Sequence, residues 1–247
     1  MINGIYVAAG GMTPRIVQID NVSNNLANAS THGFKKSGVF LRQLIDAQNS
    51  LDRAMGIEPT QVSEDVRVDY SQGTFDNTNN AFDIALNGSG FLQVRDSAGD
   101  VYYSRDGRFH LDQNGFLVNS SGMFLLDNLN NPISFLGEEM AIIENGDVFV
   151  DGVNTTKIGL AEFDLNDYPA LQNIGKGLFS KPAAVNEIPS NPDTQLMQGY
   201  LEDSNVNQIT AMVDMIEVFR AFELGQKSIQ IQDQTLQRVV TEVGVVK

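Results

Sequence analysis

The sequence predicts an α+β protein, with N- and C-terminal helices forming a coiled-coil-like pair and a central, mostly antiparallel β domain. Three observations carry this. Near the start, apolar residues recur at Ile5, Ala9, Met12, Ile16, Ile19 and Leu26, with Ser23 as a polar interruption. The same alternation of three- and four-residue steps returns at Met212, Met215, Phe219, Phe222, Ile229, Leu236, Val240 and Val243, interrupted by Gln226 and Asp233. Such spacing keeps side chains on one helix face. Between the two stripes, Asn-Gly and Asp-Gly pairs punctuate short apolar runs, the pattern of strands joined by tight turns.

Each element follows in order. Residues 1–45 hold the first helix and a polar loop. Thr13-Pro14 predicts a kink or restart, because proline inside a helix costs about 3 kcal/mol but suits the first position after a Thr cap. The helix should end in the run Asn28-Ala29-Ser30-Thr31-His32-Gly33. Residues 46–72 read as a linker that becomes an edge strand at Val66–Tyr70. Residues 73–199 read as the β domain, with turns at Asn87-Gly88, Asp106-Gly107, Asn114-Gly115, Asn145-Gly146 and Asp151-Gly152. Ile158–Phe163 reads as one more strand, and Pro182, Pro189 and Pro192 mark irregular chain. Residues 200–247 read as the last helix, starting near Asp203 or Ser204, both good caps. Its first half carries a second apolar row, Ile209, Val213 and Ile216, which calls for burial on a broad face.

With 247 residues the chain can bury a substantial core. A net charge of −15 with scattered basic residues argues against nucleic acid, whose phosphates need clustered Lys and Arg. There is no cysteine, which excludes disulfides and thiolate chemistry. No apolar run approaches the ~18–20 residues that span a bilayer. Arg15 is the first basic side chain and no apolar signal core follows one, so the sequence taken alone reads as cytoplasmic.

No catalytic, cofactor or metal constellation rises above background. Gly88-Ser89-Gly90 has Gln93 where a dinucleotide loop needs its third glycine. Asp112-Gln113-Asn114-Gly115 has its glycine two places too early for a calcium loop and reads as a β-turn. His32 and His110 lack metal-binding neighbours at helical spacing and read as surface residues. Glu138-Glu139 reads as solvated charge, and no Gly-x-Ser-x-Gly elbow is present. Gln226 and Asp233 read either as tolerated polar residues on a partly exposed helix or as buried groups that fix register.

Three segments carry a family resemblance. Ser23-Asn24-Asn25-Leu26-Ala27-Asn28-Ala29-Ser30-Thr31-His32-Gly33-Phe34-Lys35 resembles the N-terminal signature of bacterial flagellar rod and hook proteins. Gly90–Val94, Tyr103–Phe109 and Gly115–Val118 resemble the central domain of the basal-body rod proteins, and Gly199–Val206 with the following helix is similar to the family's C-terminal segment. The resemblance implies a subunit of the hollow, torque-transmitting shaft, with terminal helices lining an inner tube. It implies self-association, partnership with other rod and hook proteins, and export through the flagellar type III apparatus without a cleaved signal. The location implied is the periplasmic rod, against the cytoplasmic reading. Length fits a rod protein better than the longer hook protein, and Thr13-Pro14 with the short segment before Gly73 resembles the proximal-type rod protein more than the distal type.

On these grounds the expected subunit interface comprises Ile5, Met12, Ile16, Ile19, Asn24, Asn25, Leu26, Asn28, Gly33, Phe34, Asn205, Met212, Met215, Phe219, Phe222, Ile229, Asp233, Leu236 and Val240. The amides of Asn24, Asn25 and Asn28 either mark a helix end or bond to a neighbouring subunit's backbone. Both ends are expected to order on assembly, because burial of each large apolar side chain, roughly 1.5–3 kcal/mol, opposes backbone ordering of about 1–2 kcal/mol per residue. Competing readings are a hook-type axial protein, a secreted β-rich binding or adhesin module, and a cell-wall hydrolase.

Overall fold

The computed structural model describes residues 2–43, 62–164, 166–188, 191 and 194–243. The chain divides into two compact units. The first comprises Met1–Ala27, Ser37–Asp69 and Asn207–Lys247, and the second Asn28–Lys36 and Tyr70–Val206.

In the first unit, α1 (Ile2–Ala27) packs along α2 (Gln208–Val243), and strands β1 (Ser37–Gln43) and β2 (Val62–Val68) pair antiparallel from Ser37↔Val68 to Gln43↔Val62. The expected restart at Pro14 is absent. Helix α1 runs through it, and Pro14 is buried. Packing against α2 offsets the lost backbone bond. The last helix starts at Gln208, four residues beyond the expected Ser204. Asn207 is its cap, accepting from the Thr210 amide at 3.0 Å, while the Asp203 amide donates to Thr74 O at 2.8 Å.

The second unit is almost entirely β structure. It contains β3 (Phe75–Asn77), β4 (Ile84–Asn87), β5 (Phe91–Arg95), β6 (Val101–Ser104), β7 (Phe109–Leu111), β8 (Leu117–Asn119) and β9 (Phe124–Leu125). It continues with β10 (Met140–Ile142), β11 (Asp147–Val150), β12 (Val153–Lys157), β13 (Leu160–Ala161), β14 (Gln172–Gly175), β15 (Leu178–Ser180), β16 (Gln195–Gln198) and β17 (Tyr200–Glu202). The main sheet runs β14-β15-β6-β5-β9-β8-β7, with β13 also on β5. A second sheet is β10-β11-β12, and β16 and β17 return to pair with β4 and β3. The described pairings are antiparallel. Ile84, Leu92, Val94, Leu117, Leu125 and Ile158, each nearly inaccessible, centre the core.

The turns follow two designs. Asp151 and Lys176 have positive φ with a glycine after them, closing two-residue hairpins at Val150↔Val153 and Gly175↔Leu178. Asp96, Asp112, Asn119 and Asp127 instead open longer turns whose residue three places on, Gly99, Gly115, Gly122 or Asn130, is left-handed. In the Asp112 turn the carboxylate accepts from the Asn114 and Phe116 amides at 2.8 Å each. The Phe116 N–H leads the hydrogen bonds that hold this carboxyl below its ordinary pKa. Asp106-Gly107 is not the expected hairpin turn. Gly107 has no positive φ; its amide carbonyl accepts from Ile84 N at 3.0 Å, and an added Cβ would lie 1.6 Å from Ile84 O. Glycine is there for close backbone approach.

The segment boundaries differ from those expected. Residues 28–36 belong with the β unit, and 195–202 are sheet, because β16 and β17 complete edges left open by β4 and β3. The 46–72 linker holds β2 at its end; residues 44–61 lie outside the described residues. Strands β14 and β15 were not foreseen.

Candidate subunit interface and its anchor

Buried and half-buried side chains of α2 recur at Ala211, Met215, Val218, Phe222, Gly225, Ile229, Gln232 and Leu236. This heptad is the seam against α1, and Met12 Cγ lies 3.3 Å from where a Cβ on Gly225 would sit. It agrees with the expected stripe at Met215, Phe222, Ile229 and Leu236. At every other position it is shifted by one. Met212, Phe219, Gln226 and Asp233 are exposed, so Gln226 and Asp233 take no part in the seam with α1. The physical reason is that small Ala211 and Gly225 admit the facing helix closely, whereas Met212 and Phe219 are turned outward.

A second stripe of α2 is left uncovered within the unit. Ile209 is 76% exposed, Val213 49%, Ile216 53% and Phe219 44%, with Met212 beside them at 45%. These residues lie three or four apart along the first half of the helix. On α1, Ile16 is 47% exposed, and Met12, Ile19 and Leu26 are half-buried. Ile5 and Val240 lie in α1 and α2, but their side chains are outside the described residues. Among the described residues, no helix is long and apolar enough to cross a membrane, and no group of three His, Asp or Glu is placed to hold a metal ion.

The asparagine cluster is used differently from expectation. Asn25 is buried; its amide donates to Ser37 O at 2.7 Å and to Asn21 Oδ1 at 3.2 Å and accepts from Ser37 N at 2.9 Å. These partners are in its own chain, so the expected bond from Asn25 to a neighbour's backbone gives way to a clasp between α1 and β1. Asn28 accepts from Thr31, at 3.1 Å on its carbonyl and 3.3 Å on its side chain, and so closes the helix end. Asn24 is exposed on α1. Asn25→Leu is expected to strand the Ser37 amide and carbonyl, costing about 2 kcal/mol. Hydrogen exchange at Ser37 in the isolated chain should quicken correspondingly; an unchanged rate would return Asn25 to an intersubunit role.

Gly33, Phe34 and Asn205 also act within the chain. The Gly33 amide donates to Glu202 O at 2.7 Å, Phe34 is buried, and Asn205 accepts from the Lys36 amide at 2.7 Å while donating to Ser71 O at 3.1 Å. Beneath them lies a charge cluster that sequence reasoning missed. Lys35 Nζ donates to Glu202 Oε1 at 2.6 Å and to Ser71 O at 2.8 Å. Arg105 donates to Glu202 Oε2 at 3.2 Å and to Gly88 O at 2.7 Å, and the Gly73 amide donates to Glu202 Oε1 at 2.9 Å. The Lys35 and Glu202 side chains are 1% and 0% exposed, a burial that charged groups accept only when paired. His32 is half-buried, contrary to its surface reading, with Nδ1 3.1 Å from Asp203 Oδ1. Burial raises the pKa of nearby Asp106, which Arg108 and His32 partly offset. No local signal marks the cluster, since each charge stands beside another charged residue, Lys36, Asp106 or Asp203.

The segments that build this arrangement are those shared with known proteins. Residues 5–35 match the family described as "Flagella basal body rod protein", residues 85–150 "Flagellar hook protein FlgE/F/G D1 domain", and residues 197–242 "Flagellar basal body rod FlgEFG protein C-terminal". The flagellar basal-body rod protein FlgG of Buchnera aphidicola subsp. Schizaphis graminum is 32% identical over 262 residues, covering 97% of this chain and 99% of its own length. The chain belongs to the flagellar basal-body rod protein family. Other relatives include FlgG of Borreliella burgdorferi, 33% identical over 258 residues with 96% and 97% coverage, and FlgF of Caulobacter vibrioides, 30% identical over 250 residues with 99% of both chains covered. The rod protein is therefore of the FlgF/FlgG type, a family of structural flagellar components. The Lys35, Arg105 and Glu202 cluster draws one residue from each of the three matched segments.

Proposed function

We propose that this chain is a structural subunit of the flagellar basal-body rod, polymerising through its terminal helices into the torque-transmitting shaft. The observation that supports this reading most directly is the uncovered stripe Ile209, Met212, Val213, Ile216 and Phe219 on a helix whose opposite face is already engaged by α1. A helix with one intramolecular seam and a second apolar row has a face left for a neighbour. An open helical tube requires such heterologous contacts, in which one patch meets a different patch on the next copy. The partners are further copies, other rod and hook proteins, and the type III export apparatus. The location is the rod in the periplasmic space, reached without a cleaved signal. The chain is not an enzyme in this reading, and the ends complete their ordering as they dock.

A strain deleted for the gene tests the reading. Hook-basal bodies isolated from it should retain membrane rings but lack hook and filament, with wild-type chain restoring both. Complete filaments in the deletion strain would overturn it. A soluble ligand bound by chain that fails to polymerise on seeds would support the binding-module reading instead, and activity on cell-wall substrate the hydrolase reading.

A further inference from the structure

Glu202 ends β17 and stands six residues before α2, while Lys35 stands eight residues after α1. The two are 167 positions apart in sequence yet share a buried bond, and the Gly73 amide bonds the same carboxylate oxygen. Its other oxygen accepts from Arg105. Around this core, segment 28–36 lies along the C-terminal strand: Gly33 N donates to Glu202 O, Asn205 N to Phe34 O at 3.4 Å, and Lys36 N to Asn205 Oδ1. Without β17 in place, Lys35 would lose the carboxylate that its ammonium bonds at 2.6 Å, and Arg105 would lose the same group. Without Lys35, Glu202 would keep Arg105 and the Gly73 amide.

We propose that Glu202 is a shared lock that makes docking of segment 28–36 conditional on the C-terminal strand, so the chain leaving α1 and the chain entering α2 become ordered in one cooperative step. Lys35, Arg105 and Glu202 are positioning residues. The two ends are coupled reciprocally, since anything that loosens one must loosen the other by the same factor. For a rod subunit, a consequence that rests on the reading above, both helices are then presented to the growing end together or not at all.

The test is hydrogen exchange on the full-length, unpolymerised chain, so its outcome is separate from whether the chain builds a shaft. Glu202→Gln removes the negative charge that Lys35 and Arg105 share. It should speed exchange at the Gly33 and Lys36 amides about a hundredfold, with strands β5 and β8 at wild-type rates. Lys35→Met, which keeps the Arg105–Glu202 pair, should speed the same amides by only about tenfold, and by reciprocity the Asn205 amide too. Adding Lys35→Met to Glu202→Gln should slow exchange relative to Glu202→Gln alone, because the ammonium that needed the carboxylate is gone. Should Glu202→Gln fail to fold, Lys35→Met decides. Wild-type rates at Gly33, Lys36 and Asn205 in that variant, or a double variant no slower than Glu202→Gln, would overturn the lock.

Discussion

Gly33→Ala is expected to unseat residues 28–36 from the β unit. Gly33 sits at φ +69, and an added Cβ would lie 2.3 Å from both Arg105 C and Asp106 N and 2.5 Å from Arg105 O. All three are backbone atoms, so no rotamer change relieves the clash. Left-handed backbone alone costs a non-glycine residue about 1–2 kcal/mol. The overlap brings the total to the order of 4 kcal/mol. The measured loss is capped at the free energy of docking, because the segment escapes the clash by leaving. Gly122→Ala is the matched control. It has φ +77 but nothing within 4 Å of the added Cβ, so it should show only the conformational strain. Each kcal/mol moves Tm by about 2–4 °C in a domain of this size. Gly33→Ala should therefore melt roughly 10 °C below wild type and Gly122→Ala only a few degrees below. Trypsin should cut at Lys35, whose side chain is buried in the wild type, in the first variant alone. Equal melting of the two variants would show that the close approach to Arg105 has no energetic weight.

The β unit was legible where backbone chemistry forces residue choice. A left-handed residue closing a turn favours Gly or Asn, so Asn114-Gly115 and Asp151-Gly152 announced their hairpins. Asp106-Gly107 carries the same dipeptide for a different reason, contact with Ile84, and no local pattern separates the two. Strand β14 was missed because Gln172–Gly175 is exposed along its length and shows no apolar alternation. The helix seam was half legible. Hydrophobicity picks out Met212 and Phe219 over Ala211, Val218 and Gly225, but it weighs how much a side chain gains from leaving water, not whether its own chain or another covers it. The Lys35–Glu202 pair was not legible at all, since nothing local ties two charges 167 residues apart.

The outward residues of α2 are where the largest effect on assembly is expected. Ile216→Asp with Phe219→Asp places two carboxylates on the uncovered stripe and leaves the seam at Met215, Val218 and Phe222 untouched. Since both positions are about half exposed in the chain alone, 53% and 44%, the fold loses little, and surface substitutions of this kind stay within about 0.5 kcal/mol each. In a polymer the accounting is different. Each wild-type side chain still has about half its area to bury, worth roughly 1 kcal/mol. Each aspartate adds the cost of taking an unpaired charge out of water, several kcal/mol even after relaxation. The doubly substituted chain should thus need over a hundredfold more protein to elongate seeds of wild-type polymer, since each factor of ten is about 1.4 kcal/mol. Its β-unit Tm and monomer helix content should match wild type. Phe222→Ala, a seam change, should behave oppositely, lowering helix content in the monomer before any assembly step. Elongation by the Ile216→Asp, Phe219→Asp chain at wild-type concentration would mean that the stripe meets solvent in the polymer and that the intersubunit face of α2 lies elsewhere.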